Sequence, residues 1–569
     1  MVKEQSHMSR NKRRDIIMLV ALIGIVILAN FVGTFYFKRF DLTSEKRYTL
    51  AESTKSLLGN LNDEILFKIY LSGNLNPGFT RLRNETKEIL DEFRAYSNNQ
   101  IQYEFIAPGE GLTKEEALNI EKQLYEKGIV PEQVIDSKDP NTSSQTLIWP
   151  GAIVSYKGKE TSWQIFKHQL GVNREVSINN SIEELEYSLT TTIRKLQRDK
   201  KQEVTFIEGH YELDTLHQYD FMRALNEYYD VNRTPLLGKL GALKGSDAII
   251  ISQPDSAFSD KDRFIIDQYI MNGGKVLWLI DPVAINRDTF NLKGYTMGLT
   301  NQLGIEEMLF KYGVRLNPVL VQDMQCAKIP INVGFKKGQP NFKFYPWIYS
   351  PLVMPDINHP IVKNLDLIKF DFLSTLDTVK AKGIKKTILL HTSKYSRVQP
   401  TPARVFLGMV QYQPKEIQFN QKYLPVACIL EGEFSSFIEH RIPTVLLNDS
   451  SFKYIDKGKP TKMIVVADGD VSRNDFQRSS GQIYPLGYDK YTGQSFANKT
   501  FLLNCVNYLL DDEGMLQLRA REIKLRQLDP KKITTQRSKW QITNVGLPLL
   551  LVIALGLVQF WYRKRKYSA

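Results

Sequence analysis

Cysteine is scarce, with only Cys326, Cys428 and Cys505 in 569 residues. Three scattered thiols exclude a disulfide framework and a cysteine-ligated zinc site, so the sequence assigns them to the interior as unpaired residues, with room for one disulfide at most. Motifs of nucleotide and ester chemistry are also missing. No G-x-x-x-x-G-K-[ST] occurs to cradle ATP phosphates, no dinucleotide fingerprint, and neither G-x-S-x-G nor H-E-x-x-H for hydrolysis. The expectation is therefore a chain that is no enzyme and needs no cofactor, with any ATP hydrolysis left to another protein. The formal net charge is +13, but more than half of that excess lies in the two tails. What remains is spread through a body without a nucleic-acid-binding motif, which makes a solvated surface the better reading and nucleic acid no partner.

Long apolar runs are few, and that makes two of them informative. Ile16 to Phe37 and Ile542 to Tyr562 carry no charged residue, and each is about 20 residues long, enough for a helix to cross a ~30 Å hydrocarbon core. The first exceeds the apolar stretch of a typical signal peptide and has no small-residue cleavage site behind it, so it reads as an uncleaved anchor. In the second, Pro548 falls in the early turns, and Phe560, Trp561 and Tyr562 form an interfacial aromatic belt. Arg10, Lys12, Arg13 and Arg14 precede the first span, and Arg563, Lys564, Arg565 and Lys566 follow the second. By the positive-inside rule both tails are cytoplasmic and the bulk of the chain is periplasmic, in a bacterial inner membrane.

Between the spans the pattern is α/β. Residues 1–15 form a basic tail, 16–37 the first span, and 38–200 an N-terminal α/β domain. There Ile65-Leu-Phe-Lys-Ile-Tyr-Leu71 is a strand closed by the turn residues Asn76-Pro77-Gly78, with helices at Leu82–Tyr96 and Lys114–Lys127. Ser181-Ile-Glu-Glu184 reads as a capping box opening a helix whose apolar positions are Ile182, Leu185, Leu189, Ile193 and Leu196. A second α/β domain covers 201–515. Its apolar strands Val204–Ile207, Ala248–Ile251, Val276–Ile280 and Met463–Ala467 alternate with helices at Leu216–Tyr229, Asp260–Met271 and Asn498–Leu510, which predicts a parallel, Rossmann-like sheet covered on both faces. Gly273-Gly274 stops a helix. Residues 315–460 read as a β-rich insertion, 516–541 as a basic juxtamembrane segment, 542–562 as the second span and 563–569 as a basic tail.

Ligands in open α/β sheets sit at the carboxyl ends of strands. Three such ends carry chemistry: Glu208-Gly209-His210, Asp281-Pro282 and Asp468-Gly469-Asp470. One reading gathers His210, Asp281, Asp468 and Asp470 in a polar crevice that takes a small-molecule or glycan ligand. The other makes Gly209 and Gly469 turn residues and the acids caps of the following elements. A calcium loop at Asp468 fails, because Arg473 and Ser479 stand where that loop needs Gly and Glu. In the basic stretch before the second span, Arg519, Arg521, Leu525 and Arg526 are candidates for docking on a membrane partner.

Several long stretches together resemble a known family. These are FDLTSEKRYTLAEST at Phe40 to Thr54, DRFIIDQYIMNGGKVLWLIDP at Asp262 to Pro282, NHPIVKNLD at Asn358 to Asp366, DGDVSRND from Asp468, PLGYDK at Pro485 to Lys490, and RAREIKLRQLDPKKI at Arg519 to Ile533. They are similar to the gliding-motility-associated ABC transporter auxiliary proteins of Bacteroidetes, the GldG family. The resemblance implies an inner-membrane accessory subunit, often described as substrate-binding, that works with a separate ATPase and a separate permease. It also implies a middle domain related to glutamine-amidotransferase-like folds. Amidotransferases place a cysteine nucleophile at a strand-to-helix elbow; here that strand end reads Ile280-Asp281-Pro282, so the fold is expected without the amidase chemistry. The alternative function is a membrane-anchored scaffold of the motility or envelope machinery that binds no small molecule.

Overall fold

The computed structural model describes residues 17–28, 49–111, 113–139, 142–167, 173–197, 201–336, 338–411, 415–438, 454–477, 480–511 and 530–567. It is a mixed α/β protein with many sheets. The chain divides into two compact units, one made of residues 1–47 and 522–569 and the other of residues 48–521.

In the larger unit the first sheet has the strand order Ile101–Phe105, Ile65–Ile69, Gly151–Tyr156, Lys159–Gln164. The first pair is parallel and the other two are antiparallel. Ile65, Phe67 and Ile69 alternate with exposed neighbours, so one sheet face is buried in a core shared with Phe79, Leu82 and Phe93 of the helix Pro77–Tyr96. That helix begins five residues before the predicted start. Asn76 caps it by accepting from Phe79 N at 2.9 Å, and Pro77 takes the first turn. The Asn-Pro-Gly signal therefore opens a helix instead of closing a strand, since proline's fixed φ suits a first turn as well as a tight turn.

The capping box at Ser181 is not formed. A helix already runs from Arg174 to Glu183, capped by Asn173, and a second follows at Leu185–Gln197. Ser181 lies inside the first, where its hydroxyl donates to Ser177 O (2.8 Å) and accepts from Lys167 N (3.1 Å). Glu184 pairs with Lys167 at 3.2 Å. The apolar positions hold nevertheless: Ile182, Leu185, Leu189, Ile193 and Leu196 are all in the core.

The central sheet has seven strands, in the order Ile384–His391, Pro425–Ser435, Lys457–Val466, Lys275–Leu279, Ala248–Ser252, Glu203–Glu208, Asp230–Pro235. The last five are parallel to one another, and Pro425–Ser435 runs antiparallel to both of its neighbours. Both faces are covered. Phe206, Ile250, Leu277, Leu279 and Ile464 pack into one core, while Ile207, Ile249, Ile251, Val276, Trp278 and Val465 pack into the other. Near-continuous apolar runs are what a strand buried on both sides requires.

Two features differ from the expectation. The strand-rich stretch 315–460 also contributes to the central sheet, since its strands Ile384–His391 and Pro425–Ser435 extend it; Cys428 and Ile429 pair there with Val465 and Ile464. The predicted helix Leu216–Tyr229 ends at Asn226, and Asp230–Pro235 forms an edge strand. DVNRTP has too little apolar character to announce a strand, and an edge position asks for less of it. Gly273 and Gly274 end the helix Asp260–Met271 as expected: Gly273 has φ +96°, and the two amides donate to Ile270 O and Tyr269 O. Cys428 and Cys505 are buried, whereas Cys326 is only half-buried; all three are free thiols.

In the smaller unit, the helix Pro530–Tyr567 contains Gln536–Tyr562, which is long and apolar enough to cross a membrane. Its start shows that part of the predicted juxtamembrane segment is helical and continuous with the span. At the amino end the helix Ile17–Leu28 is apolar but shorter. The rest of that predicted span lies outside the described residues.

Candidate functional site at the strand ends

The carboxyl ends of three adjacent parallel strands bring Gln253, Asp281 and the Asp468-Gly469-Asp470 turn together. Gln253 Nε2 donates to Asp281 Oδ2 and to Asp470 Oδ1, both at 2.7 Å. Gly469 N donates to Asp281 Oδ1 at 2.5 Å. The approach is so close that a Cβ on Gly469 would lie 2.7 Å from Gln253 Cβ and 2.8 Å from its Cα. Gly469 has an ordinary helical backbone (φ −85°, ψ −29°), so space, not conformation, requires glycine here. Gln253 has φ +53°, an uncommon conformation for a residue with a side chain.

Buried carboxylates this near one another need a counter-charge, and Arg287 supplies it. Its guanidinium lies 2.6 Å from Asp470 Oδ2 and 3.4 Å from Asp371 Oδ2, over the Phe372 ring. Lys369 Nζ stands 3.7 Å from Asp371. Asp371 also accepts from Ser350 Oγ at 2.5 Å, and its amide donates to Asp468 Oδ2 at 3.2 Å. The other oxygen of Asp468 accepts from Val471 N at 2.8 Å.

This arrangement separates the acids by charge state. Burial pushes Asp281 up to about 7, with Asp470 adding to the effect. Burial, then Asp281 and Asp470, hold Asp468 well above the usual carboxylate range. Burial acts on Asp371 in the same sense, but Lys369 and Arg287 outweigh it and keep Asp371 below its ordinary value. Arg287 is held more firmly protonated, because Asp470 and Asp371 outweigh its burial. Beside the cluster, Arg473 reaches His217 Nε2 at 2.8 Å, and His217 Nδ1 meets Asp214 at 2.8 Å.

Of the four predicted crevice residues, the structure gathers Asp281, Asp468 and Asp470, and sets His210 apart. His210 is buried and stacked on Phe258 (centroids 3.7 Å apart), with Nδ1 3.1 Å from Glu212 and Nε2 3.3 Å from Asp262. Asp262 in turn accepts from Gly238 N at 2.7 Å, so this histidine ties a loop to a helix start. Sequence reasoning missed Arg287, Asp371 and Gln253. Three acids at neighbouring strand ends do call for a cation, but with 75 Lys and Arg residues in the chain the sequence does not say which. Arg519, Arg521, Leu525 and Arg526 lie outside the described residues. Among the described residues, no group of three or more His, Cys, Asp or Glu side chains is arranged to hold a metal ion.

A parallel sheet with an acidic strand-end cluster, in a chain carrying an apolar C-terminal helix, frames the comparison with known proteins. Residues 201–505 match the model of an ABC-type uncharacterized transport system, the auxiliary component. That match covers more than half of the chain, and the chain belongs to this family. Residues 44–155 match a domain of unknown function. An uncharacterized protein of Borreliella burgdorferi is 23% identical over 575 residues, covering 98% of this chain and 99% of that one. Two solved structures are similar at a low level. The N-terminal domain of mmIFT52 has 13% identity and a TM-score of 0.32, covering 55% of this chain and 98% of that domain. A ThuA-like protein from Parabacteroides merdae has 10% identity and a TM-score of 0.25, covering 58% of this chain and 94% of that one.

Proposed function

We propose that this protein is an accessory subunit of an ABC transporter, anchored in the bacterial inner membrane with its bulk in the periplasm, and working with a separate ATPase and a separate multi-span permease. The observation that carries the reading is the family match across the central α/β body of a chain that also bears a membrane-competent helix at Gln536–Tyr562. A single such helix cannot line a permeation path, and the sequence carries no phosphate-binding loop, so both tasks fall to partners. The Rossmann-like reading of the body is supported by its five parallel strands. Solubilisation in mild detergent, affinity capture of the full chain and mass spectrometry test the proposal. Co-purification of an ATPase and a permease is expected, and isolation of the chain without them overturns it.

The narrower assignment to gliding motility rests on the GldG-like stretches. It is tested by whether deleting the gene abolishes surface spreading while leaving growth unchanged. A second reading, a scaffold that binds no small molecule, is favoured by one feature of the site. Asp281, Asp470 and Asp371 are engaged by Gln253, Gly469, Arg287 and Lys369, so these carboxylates organise loops more readily than they greet a ligand.

A further inference from the structure

A cavity of about 350 Å³ lies away from the acidic cluster, in the larger unit, where the helix Leu185–Gln197 and the hairpin tip at Lys159 face the Tyr228–Tyr229 turn and the end of the helix Asn498–Leu509. Its volume falls in the lower part of the range of small-molecule sites, and junctions between folded modules are where such sites concentrate. The lining mixes rings, cations and hydrogen-bond acceptors, among them Tyr187, Tyr228, Lys195, Glu227 and Asp511.

Lys195 is the informative member. It is half-buried, and its ammonium lies 4.7 Å from the centre of the Tyr228 ring. Among the described residues no carboxylate comes within ion-pair distance of it. Burial lowers its pKa, Glu227 opposes this, and Lys201 adds to the lowering. The neighbouring cations differ: Arg194 has Asp511 at 3.5 Å, and Lys201 donates to Asn226 O at 2.7 Å. A half-buried ammonium that lines a cavity and, among the described residues, makes no ion pair is a place where an anion is favoured. The tyrosines offer flat apolar faces beside it, and the carboxylates offer acceptors for hydroxyl groups.

We infer that this cavity is a binding site for an anionic, monosaccharide-sized molecule, its phosphate or carboxylate paired with Lys195, its ring against Tyr228 and its hydroxyls donating to the acidic lining. Such a ligand would contact residues on both sides of residue 200 and so clamp the two halves of the unit together. The inference does not depend on the transporter partnership, which the affinity capture decides separately.

The test is isothermal titration of the full-length protein in detergent with glucose 6-phosphate, glucuronate and glucose. At least one of the two anionic sugars is expected to bind about tenfold or more tightly than glucose. Lys195→Met is expected to abolish that preference and Lys195→Arg to retain it, with thermal melts of both variants matching wild type. Tyr228→Ala is expected to weaken binding of all three sugars. Absence of saturable binding by both anionic sugars overturns the inference, as does binding that Lys195→Met leaves unchanged. Should Lys195→Met melt early, the comparison of Lys195→Arg and Tyr228→Ala against wild type decides in the same way.

Discussion

Replacing Gly469 by alanine tests the strand-end architecture directly. The new methyl carbon would sit 2.7 Å from Gln253 Cβ, 2.8 Å from its Cα and 2.9 Å from its Cγ. Two of those atoms belong to or adjoin the backbone, so no rotamer change relieves the clash. Gln253 is already held at φ +53°, and its amide bridges Asp281 and Asp470, so any retreat loosens both bonds. Overpacking of this kind costs about 1–3 kcal/mol, and the rigidity of the neighbours puts Gly469→Ala at the upper end. For the larger unit, residues 48–521, an unfolding entropy of about 2.1 cal/mol/K per residue makes that a melting temperature lower by roughly 3 °C. Gly59 supplies the control. It ends the helix Glu52–Gly59 with nothing within 4 Å of its would-be Cβ, so Gly59→Ala is expected to be neutral or stabilising by up to about 1 kcal/mol. Gln253→Gly removes two of the three clashing carbons and suits the positive φ, so the pair should show favourable coupling in a double-mutant cycle read by urea or thermal unfolding. A Gly469→Ala protein that melts with wild type would refute the close-approach account of this glycine.

Further outcomes follow from the buried polar groups. Asp281 is raised to about 7 in the folded protein from an ordinary value of 3.8, so its contribution to stability is full below the ordinary value and is lost as pH rises through about 7. Folding stability, and melting temperature with it, should therefore fall between about pH 4 and 7, by at most about 1.4 kcal/mol of stability per pH unit for this one group, and Asp281→Asn should flatten the slope. An unchanged slope in that variant would mean that Asp281 does not titrate in this window. Asp267 is fully buried and accepts from Tyr312, Ser436, Gln268 and Phe437 N; Asp267→Ala should cost about 3 kcal/mol or more, and Tyr312→Phe about 1–3 kcal/mol, in the same unfolding assay. His210→Ala should lower the melting temperature while leaving the partners captured with the chain unchanged, since its contacts are internal; lost capture with an unshifted melt would instead make it a docking residue. Removal of residues 530–569 should reduce retention in the membrane pellet after carbonate washing, whereas full retention would show that this helix is not needed for anchoring.

Much of the central sheet was legible because a strand buried on both faces must be apolar along its whole length, and Ala248–Ile251, Val276–Ile280 and Met463–Ala467 are. The same logic located Asp281, Asp468 and Asp470, since the residue after such a strand has to sit at its open end. It failed for His210 because following a strand fixes where a residue starts, not which way its loop turns. Gly209 has φ +118°, and His210 is held by Glu212 and Asp262 instead. Arg287 and Asp371 were invisible for another reason. They reach the cluster through tertiary contacts spanning up to 183 residues, and no local pattern encodes a pairing of that range. Local signals were ambiguous where one residue serves two geometries, as Asn76-Pro77 does at a turn or a helix start. Ser181 misled in the converse way: a serine three residues before a glutamate caps a helix only if the chain before it is not already helical.

The strand order of the central sheet carries a consequence for how this protein is made. Lys275–Leu279 pairs with Ala248–Ser252 on one side and with Lys457–Val466 on the other, yet its second neighbour comes roughly 180 residues later. At ~5–20 residues per second, a nascent chain carries that open, apolar edge for roughly 10–40 s before the partner strand is synthesised. During this interval the half-built sheet can pair with the wrong strand or with another copy, so the biogenesis of this protein should be more sensitive to the loss of chaperones than its finished stability would suggest.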